Sequence, residues 1–262
     1  MKGKLIVIEG TDCSGKETQA NLLEEQLNKL GITTKKIYFP KYESPTGRII
    51  GSCFLGKEEI CNKYFKENTG WFQEGASKVD AMVASLYYAA DRKYNVKDIT
   101  NLLEKGVNVI LDRYTYSSFG HQACKLKTKK ERIEMYNWLD KLEFDLLELP
   151  KADIKVFLHM PYEISCELKK NREEKPDQHE LSKEHLLMAE NAYIENSNIN
   201  QTAGRINKGT DTSVSAITSF DDLAIVGTVA YGSKSSGDAS IRVDGIADNV
   251  NSYIKNSSID TT

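Results

Sequence analysis

The sequence lacks any pattern that would join its five cysteines into a disulfide or zinc framework. They stand at positions 13, 53, 61, 124 and 166, an odd number without clustering. No Cys-x-x-Cys pair and no Cys/His zinc spacing occurs. These absences exclude a disulfide-rich secreted scaffold and a zinc finger, and they predict a reduced, cytoplasmic chain.

Long apolar runs and a strong charge bias are missing as well. No stretch of about 18 apolar residues exists, so no membrane span is expected. The apolar run behind the basic N-terminus ends at Glu9, which is too short for the core of a signal peptide. The net charge of −3 argues against a nucleic-acid binder that relies on bulk positive charge. We therefore expect neither a membrane nor a nucleic-acid partner.

Residues 197–262 contain no Cys, Pro, Met, Trp or Glu, whereas residues 1–195 contain all of them in the chain. The first part alternates short apolar runs with amphipathic stretches. Candidate strands lie at 5–8, 33–39, 107–111 and 154–158, and candidate helices at 16–30, 71–95, 129–142, 162–171 and 182–196. The helix at 71–95 is expected to be buried along Val79, Met82, Val83, Leu86 and Tyr87. This alternation predicts an α/β fold, a parallel sheet flanked by helices on both faces.

A glycine-containing loop joins the first strand to the first helix. It reads Gly-x-x-x-x-Gly-Lys over 10–16, in the strand–loop–helix setting of a P-loop. Its backbone N–H groups and the helix N-terminus form an anion site, and Lys16 adds a positive charge for the β and γ phosphates. The residues expected to bind ATP are Gly10, Thr11, Asp12, Cys13, Ser14, Gly15, Lys16, Glu17 and Thr18.

The residue after Lys16 departs from the P-loop pattern, which places Ser or Thr there as a Mg²⁺ ligand. Glu17 occupies that position. Its carboxylate either meets the metal, directly or through water, or points to solvent. We favour solvent, because a carboxylate beside the phosphates is repelled unless the metal lies between them.

Two further charged segments follow predicted elements. Asp112 and Arg113 come directly after the third strand, at the sheet edge where ligands bind, so Asp112 is a candidate Mg²⁺ ligand and Arg113 a candidate phosphate clamp. The alternative is a capping Asp and an exposed Arg. The basic residues Lys169, Lys170, Arg172 and Lys175 form either a solvated helix end or a mobile lid over about 169–182. The P-loop favours the lid, because phosphoryl transfer needs cations around the migrating group.

Taken together, these segments resemble the thymidylate kinases, P-loop enzymes that phosphorylate dTMP to dTDP with ATP. Five segments carry the resemblance over about residues 3–196: GTDCSGKETQ (10–19), FPKY (39–42), LYYAADR (86–92), DRYTYSSFGHQ (112–122) and DQHE (177–180). Their order and spacing are specific, although each is weak alone except the P-loop.

The resemblance implies a role for each matching position. Tyr88 would stack on thymine, and Arg92 would donate to a thymine carbonyl, where cytosine presents an amino group instead. Asp12 would approach the sugar and phosphate of dTMP, and Arg113 would bind that phosphate with help from Lys41. The implied catalytic set is Lys16, Asp12, Arg113 and Arg172. The implied substrate-binding set is Asp12, Phe39, Lys41, Tyr88, Arg92, Arg113, Ser117, Ser118, His121 and Gln122.

Three departures from the family pattern accompany the resemblance. His121 stands where the family usually has an aromatic residue, commonly Tyr, beside the sugar 2′ position, which puts the deoxyribose preference in question. Cys13 stands where some members have Arg, so the transition-state cation would come from the lid. The family normally ends with one strand and one helix soon after the position of Glu195, so residues 197–221 would be a polar insertion before that last strand and helix, which would lie within 222–256. Alternatively, the tail is not homologous to the family.

The resulting hypothesis is a single-domain, cytoplasmic thymidylate kinase, spanning residues 1–262, that uses ATP and Mg²⁺. The helix around 71–95 would provide the face of a homodimer. One alternative keeps the fold and phosphorylates dUMP, another nucleotide or a nucleoside. Another is a non-catalytic nucleotide-binding paralogue, suggested by Glu17 and the unusual tail.

Overall fold

A parallel sheet forms the centre of the computed structural model. Its strands are β1 (Leu5–Gly10), β2 (Thr34–Tyr38), β3 (Asn108–Asp112) and β4 (Ile154–His159). Further along the chain, β5 (Ile217–Thr218) pairs antiparallel with β6 (Leu223–Ala224), and β7 (Val226–Thr228) joins the sheet, whose order is β2-β3-β1-β4-β7. The structure describes residues 2–65, 70–169, 175 and 177–196, together with these three short strands.

Helices lie on both faces of the sheet, which confirms the α/β class. They are α1 (Lys16–Lys29), α2 (Pro45–Arg48), α3 (Glu58–Ile60), α4 (Ala81–Glu104), α5 (Thr115–Ala123), α6 (Lys129–Asp140), α7 (Tyr162–Lys169) and α8 (Lys183–Asn196). π-helical turns extend α2, α3 and α6 as Ile49–Phe54, Cys61–Phe65 and Lys141–Leu146. The sequence pattern did not predict α2, α3 or α5. Among the described helices, none is both long enough and apolar enough for a bilayer crossing.

The central residues of β1, β3 and β4 are apolar because both faces of these strands are covered. Side chains alternate between the faces. In β1, Val7 packs in the cluster that includes Ile99 and Leu103 of α4, while Ile8 packs with Ala20 of α1 on the other face. The register pairs Ile8 with Asp112, so β1 and β3 end together and their following loops meet at one sheet edge.

The long helix begins later and faces differently than the sequence pattern predicts. Its first turn is capped by Asp80, whose carboxylate accepts hydrogen bonds from Met82 N and Val83 N at 3.0 Å. Residues 71–79 instead form a loop that turns at Gly75, where φ is +81°. The prediction of a helix from 71, with its large apolar residues buried, was therefore wrong.

The face of α4 toward the protein carries small and polar residues such as Ala84, Ser85 and Ala89. Toward its C-terminus Ile99 and Leu103 are buried as well, whereas five other large apolar residues lie on the opposite face with exposed fractions from 36% to 58%. These residues are Met82, Val83, Leu86, Tyr87 and Tyr94, and they are named here the α4 stripe. Of the predicted buried set, only Val79, in the preceding loop, is buried.

The predicted lid and tail are described only in part. Lys169, Lys175 and residues 177–182 belong to the described chain, whereas Lys170 and Arg172 do not. The predicted insertion lies outside the described residues except for β5, and so does the predicted last helix. The segment predicted to hold a last strand contains β6 and β7, and β7 pairs parallel with β4. The division of the tail stays a prediction.

Candidate active site

The loop between β1 and α1 has the backbone conformation that an anion site requires. Cys13 and Gly15 adopt positive φ angles of 55° and 78°, which turn the chain so that α1 starts directly behind the loop. At Gly10 a Cβ atom would lie 2.2 Å from the carbonyl oxygen of Leu158, so that position accepts only glycine. Consecutive N–H groups and a helix N-terminus together attract phosphate oxygens.

Lys16 folds back over this loop. Its Nζ donates to the carbonyl oxygen of Thr11 at 2.5 Å and to Ser14 Oγ at 3.4 Å. Burial, together with the positive charge of Arg113, lowers the pKa of Lys16 to about 8. A nearby phosphate would raise the pKa of Lys16 again, because an opposite charge favours the charged ammonium.

Asp12 and Arg113 form an ion pair in the middle of the cavity. Arg113 Nη2 donates to Asp12 Oδ1 at 2.8 Å, and Arg113 has a positive φ of 66°. Such a conformation is costly for a residue other than glycine and is common at functional sites. Burial acts to raise the pKa of Asp12, but Arg113 and Lys16 hold it well below its usual range. The carboxylate is thus ionised and holds Arg113 in place.

Asp112 has the chemistry that a Mg²⁺ site needs. It lines the cavity at the end of β3, and its negative charge acts on both Lys16 and Arg113. Mg²⁺ prefers carboxylate and water oxygens, so Asp112 fits as a direct or water-mediated ligand. The side chain of Glu17 is 79% exposed and lies 4.0 Å from Lys36 Nζ, as expected for the solvent-facing alternative.

The opposite end of the cavity centres on Arg92 of α4, which is only 2% exposed. Its Nε donates to Glu143 Oε2 at 3.0 Å, and its Nη2 donates to Glu143 Oε1 and to Ser118 Oγ at 3.0 Å. Nη1 donates to the Tyr114 carbonyl oxygen at 3.3 Å. These bonds use four of the five N–H groups of a guanidinium. Within the described residues, one N–H of Nη1 remains for a ligand in the cavity.

Two aromatic side chains lie beside this end of the cavity. Tyr88 stands one helical turn before Arg92, and its ring meets Phe54 edge to face at 5.7 Å. Phe39, at the end of β2, packs against Tyr114 at 6.0 Å. Both line the cavity. Burial raises the pKa of the Tyr88 hydroxyl, so the ring is neutral and suited to contact with a base.

Helix α5 brings its predicted residues to the same wall. Ser117, Ser118, His121 and Gln122 all line the cavity. The start of α5 is held by Glu9, whose carboxylate accepts from Tyr114 N at 2.7 Å, Ser117 N at 3.0 Å and Ser117 Oγ at 2.7 Å. Glu9 therefore joins the end of β1 to the residues that face the cavity.

The cavity has a volume of about 460 Å³ and brings most predicted site residues together. Of the ATP-binding and Mg²⁺ sets, the residues along its wall are Asp12, Cys13, Ser14, Gly15, Lys16, Glu17, Thr18 and Asp112. Gly10 and Thr11 lie behind the loop, where the Thr11 hydroxyl donates to the Met160 carbonyl oxygen at 2.9 Å.

Lys41 is not brought to the cavity. Its Nζ lies 2.5 Å from Asp98 Oδ2, because the side chain extends along the outer part of α4. Arg172 lies outside the described residues. From the predicted basic lid, Lys169 Nζ is 3.9 Å from Asp12 Oδ2, whereas Lys175 pairs with Glu58 at 2.5 Å. Of these two lysines, only Lys169 extends toward the loop between β1 and α1.

Sequence reasoning missed three buried acids. Glu9 interrupts an apolar strand directly before the P-loop, and that position was a usable signal. Glu143 and Asp91 gave none, since each resembles an ordinary acidic residue of a helix. Asp91 accepts from Lys41 N at 2.8 Å, Ser44 Oγ at 2.9 Å and Thr46 Oγ1 at 2.7 Å, and so ties α2 to α4.

A phosphate-binding loop at the carboxyl edge of a parallel sheet, with buried cations facing a cavity, defines the P-loop nucleotide-binding class of α/β proteins. Within this class, the thymidylate kinase family model matches residues 8–209. The chain belongs to the thymidylate kinase family.

Individual relatives agree with this assignment. The thymidylate kinase of Plasmodium falciparum is 32% identical over 160 residues, which cover 61% of this chain and 63% of that protein. The thymidylate kinase of Schizosaccharomyces pombe is 27% identical over 185 residues, covering 71% and 74%. The solved thymidylate kinase of Candida albicans is similar with a TM-score of 0.52 and 27% identity, over 74% of this chain and 77% of that one.

Proposed function

We propose that the protein transfers the γ-phosphoryl group of ATP to dTMP, giving dTDP and ADP. The observation that carries this proposal is a single cavity whose two ends are lined by different kinds of residue. The P-loop and Lys16 are suited to the phosphates of ATP, while Tyr88, Arg92 and Ser118 are suited to a pyrimidine base. The Asp12–Arg113 pair lies between them, where an acceptor phosphate would meet the donor.

Catalysis would depend on position and charge, without a covalent intermediate on the protein. An oxygen of the dTMP phosphate attacks the γ-phosphorus in line as the bond to the β-phosphate oxygen breaks. Lys16 and Lys169 would neutralise the transferring group, and Arg113 would orient the acceptor phosphate. Arg172 is kept as a further lid cation. Mg²⁺, held by Asp112, supplies additional positive charge on the ATP phosphates when bound.

Arg92 would select the base. Its remaining Nη1 proton can be donated to a carbonyl oxygen of thymine, whereas cytosine presents a donor at the corresponding position. Two facing donors leave both groups without partners in a buried site, which is costly. Glu143 holds the guanidinium fixed, so it cannot easily turn away from the wrong base.

A coupled assay of ADP release across dTMP, dUMP, dCMP, dGMP and thymidine tests this proposal. We expect the highest kcat/KM for dTMP and a turnover at least about 100-fold lower in the Lys16→Ala control. A clear preference for dUMP, another nucleotide or thymidine would replace the acceptor and keep the fold. Binding of ATP and dTMP without turnover would instead identify a non-catalytic paralogue.

We further propose that two copies associate through the α4 stripe as a homodimer. The exposed apolar side chains Met82, Val83, Leu86 and Tyr87 lie on one helix face, and contiguous exposed apolar surface marks interaction sites. Sedimentation velocity of the wild type, Leu86→Glu and Leu146→Glu tests this. Leu146 is a matched control, since it is 66% exposed outside α4. A monomeric wild type, or a dimer unaffected by Leu86→Glu, would contradict the proposal.

We also propose a cytoplasmic location. The five cysteines, all within the described part of the chain, form no disulfide, which suits a reducing compartment. Imaging of a fluorescent fusion of the full chain in its own cells checks this, and a signal confined to another compartment would contradict it.

A further inference from the structure

Three of the four histidines in the sequence meet at one point of the fold. His121 comes from α5, His179 from the segment 177–180, and His185 from the first turn of α8. Their ring centroids are 4.6–5.9 Å apart. Each offers one ring nitrogen, and the three nitrogens lie within 4.8 Å of one another. Residues far apart in sequence thus create a cluster that no linear spacing reveals.

Each ring has a buried nitrogen without a hydrogen-bond partner. These atoms are His121 Nδ1, His179 Nε2 and His185 Nε2, and no described residue bonds to them. Such orphaned buried nitrogens are unfavourable, and three of them in one cluster indicate that a ligand completes the site.

The second nitrogen of His185 has a partner that fixes the tautomer of this ring. His185 Nδ1 is 3.7 Å from Cys124 Sγ, and that thiol donates to the His121 carbonyl oxygen at 3.2 Å. The sulfur can therefore accept from Nδ1–H, which leaves a lone pair on Nε2. The ring of His179 lies beside the Ala76 backbone, which raises its pKa slightly, and its Nε2 has no partner among the described residues. Support of this kind orients metal-binding imidazoles.

The rings are neutral, as metal ligands must be. Burial is the main cause, and it lowers the pKa of His121 to about 3 and that of His185 to about 4, with His179 also well below its usual value. Lys125 disfavours added positive charge at His179 and His185, and Arg113 and Lys16 disfavour it at His121. The carboxylate of Asp12 favours it at His121 and His185.

We propose that His121, His179 and His185 bind one Zn²⁺ ion, with the fourth coordination position open toward the cavity. Three imidazoles and an open position are a known zinc arrangement. Zn–N bonds of about 2.0–2.1 Å place tetrahedral ligand nitrogens roughly 3.3–3.5 Å apart, so the rings would rotate slightly inward from the observed spacing. Mg²⁺ prefers oxygen ligands, so this site is separate from the one at Asp112.

The ion would join three elements that no disulfide connects. His121 and His179 both line the cavity, so the metal would hold the segment 177–180 against α5 and α8 at its wall. Zn²⁺ should therefore stabilise the folded chain even without nucleotide. At Zn²⁺ concentrations near 100 times Kd, we expect Tm to rise by about 5–10 °C.

Co²⁺ and Zn²⁺ titrations of the full chain, purified without a histidine tag and dialysed against chelator, test the proposal. One equivalent of Co²⁺ should give the visible bands of a tetrahedral complex, and Zn²⁺ should displace it. Two further readouts are independent of the spectra. One is the Zn²⁺ content of the reloaded protein after excess metal has been dialysed away, and the other is the melting temperature with and without Zn²⁺. Failure to bind one equivalent would overturn the proposal.

Variants identify the ligands. His185→Gln should weaken binding at least about 100-fold, whereas His159→Gln should not, because His159 is occupied by Glu190 at 2.7 Å outside the cluster. If His185→Gln does not fold, His179→Gln in the segment 177–180 serves instead. A Cys13→Ser/Cys166→Ser variant should bind normally. Unchanged binding in both histidine variants, or loss in the cysteine variant, would overturn the assignment.

Discussion

The two ends of the cavity are built by opposite means. At the phosphate end, one continuous loop supplies the backbone donors. In the described part of the chain, Lys16 Nζ hydrogen-bonds to Thr11 and Ser14 of that same loop. At the base end, Arg92 is fixed by Glu143, Tyr114 and Ser118, which come from distant parts of the chain.

At the phosphate end, a substitution can therefore remove function without lowering stability. At the base end, a substitution is expected to lower both. A charge held by its own loop can be removed without loosening the core. A buried charge pair cannot lose one partner without leaving the other uncompensated in the interior.

Arg92→Met should lower the free energy of unfolding by about 3–5 kcal/mol, because Glu143 stays buried without its partner. The double variant Arg92→Met/Glu143→Met should recover most of this loss but not the affinity for dTMP. Urea denaturation and dTMP calorimetry measure the two effects. Equal stability of the single and double variants would show that the pair is not coupled.

Lys16→Ala should reduce kcat by roughly 10²-fold or more, the scale of a lost transition-state contact. Its melting temperature should stay close to that of the wild type, since both hydrogen bonds described for the Lys16 ammonium go to its own loop. Single-turnover kinetics and calorimetric melting check both halves. A wild-type kcat in this variant would contradict the proposed mechanism. A strongly lowered melting temperature would show that the two ends do not differ in their contribution to stability.

The affinity for ATP should fall as pH rises through about 8, the pKa of Lys16 in the unliganded protein. Because this pKa is depressed, raising the pH removes the ammonium that attracts phosphate. Between about pH 8 and pH 9, binding should weaken roughly fivefold, since the protonated fraction falls from about one half to one eleventh. Lys16→Arg stays cationic and should show no such dependence in calorimetric titrations.

His121→Tyr should change the sugar preference by a few-fold at the base end. If His121 leaves room beside the 2′ carbon, the wild type accepts ribose nucleotides and the larger ring suppresses them. The ratio of kcat/KM for 5-methyl-UMP to that for dTMP measures this in both proteins, with Tm as a check on folding. Both proteins are assayed in zinc-free buffer, because His121 is also a proposed Zn²⁺ ligand. An unchanged ratio would show that residue 121 does not determine the preference between ribose and deoxyribose.

The sequence predicted the phosphate end better than the base end for the same physical reason. A loop such as 10–16 is read from neighbouring residues, and apolar strands mark the sheet edge where it lies. The partner of Arg92 could not be predicted, because Glu143 is brought to it only by tertiary packing. The buried face of α4 was predicted wrongly, since apolar spacing identifies one face of a helix but does not show whether that face is buried.

Over the same turns, helix α4 presents cavity residues on one face and the exposed α4 stripe on the other. An insertion or deletion in this helix should therefore be more damaging than a substitution. Each residue advances the helix by about 100°, so one inserted residue after Tyr87 would rotate everything beyond it by that angle. Tyr88 and Arg92 would then leave the cavity wall, and Glu143 would face a different side chain. We expect this helix to tolerate many exchanges of its outward residues while rejecting a single insertion or deletion.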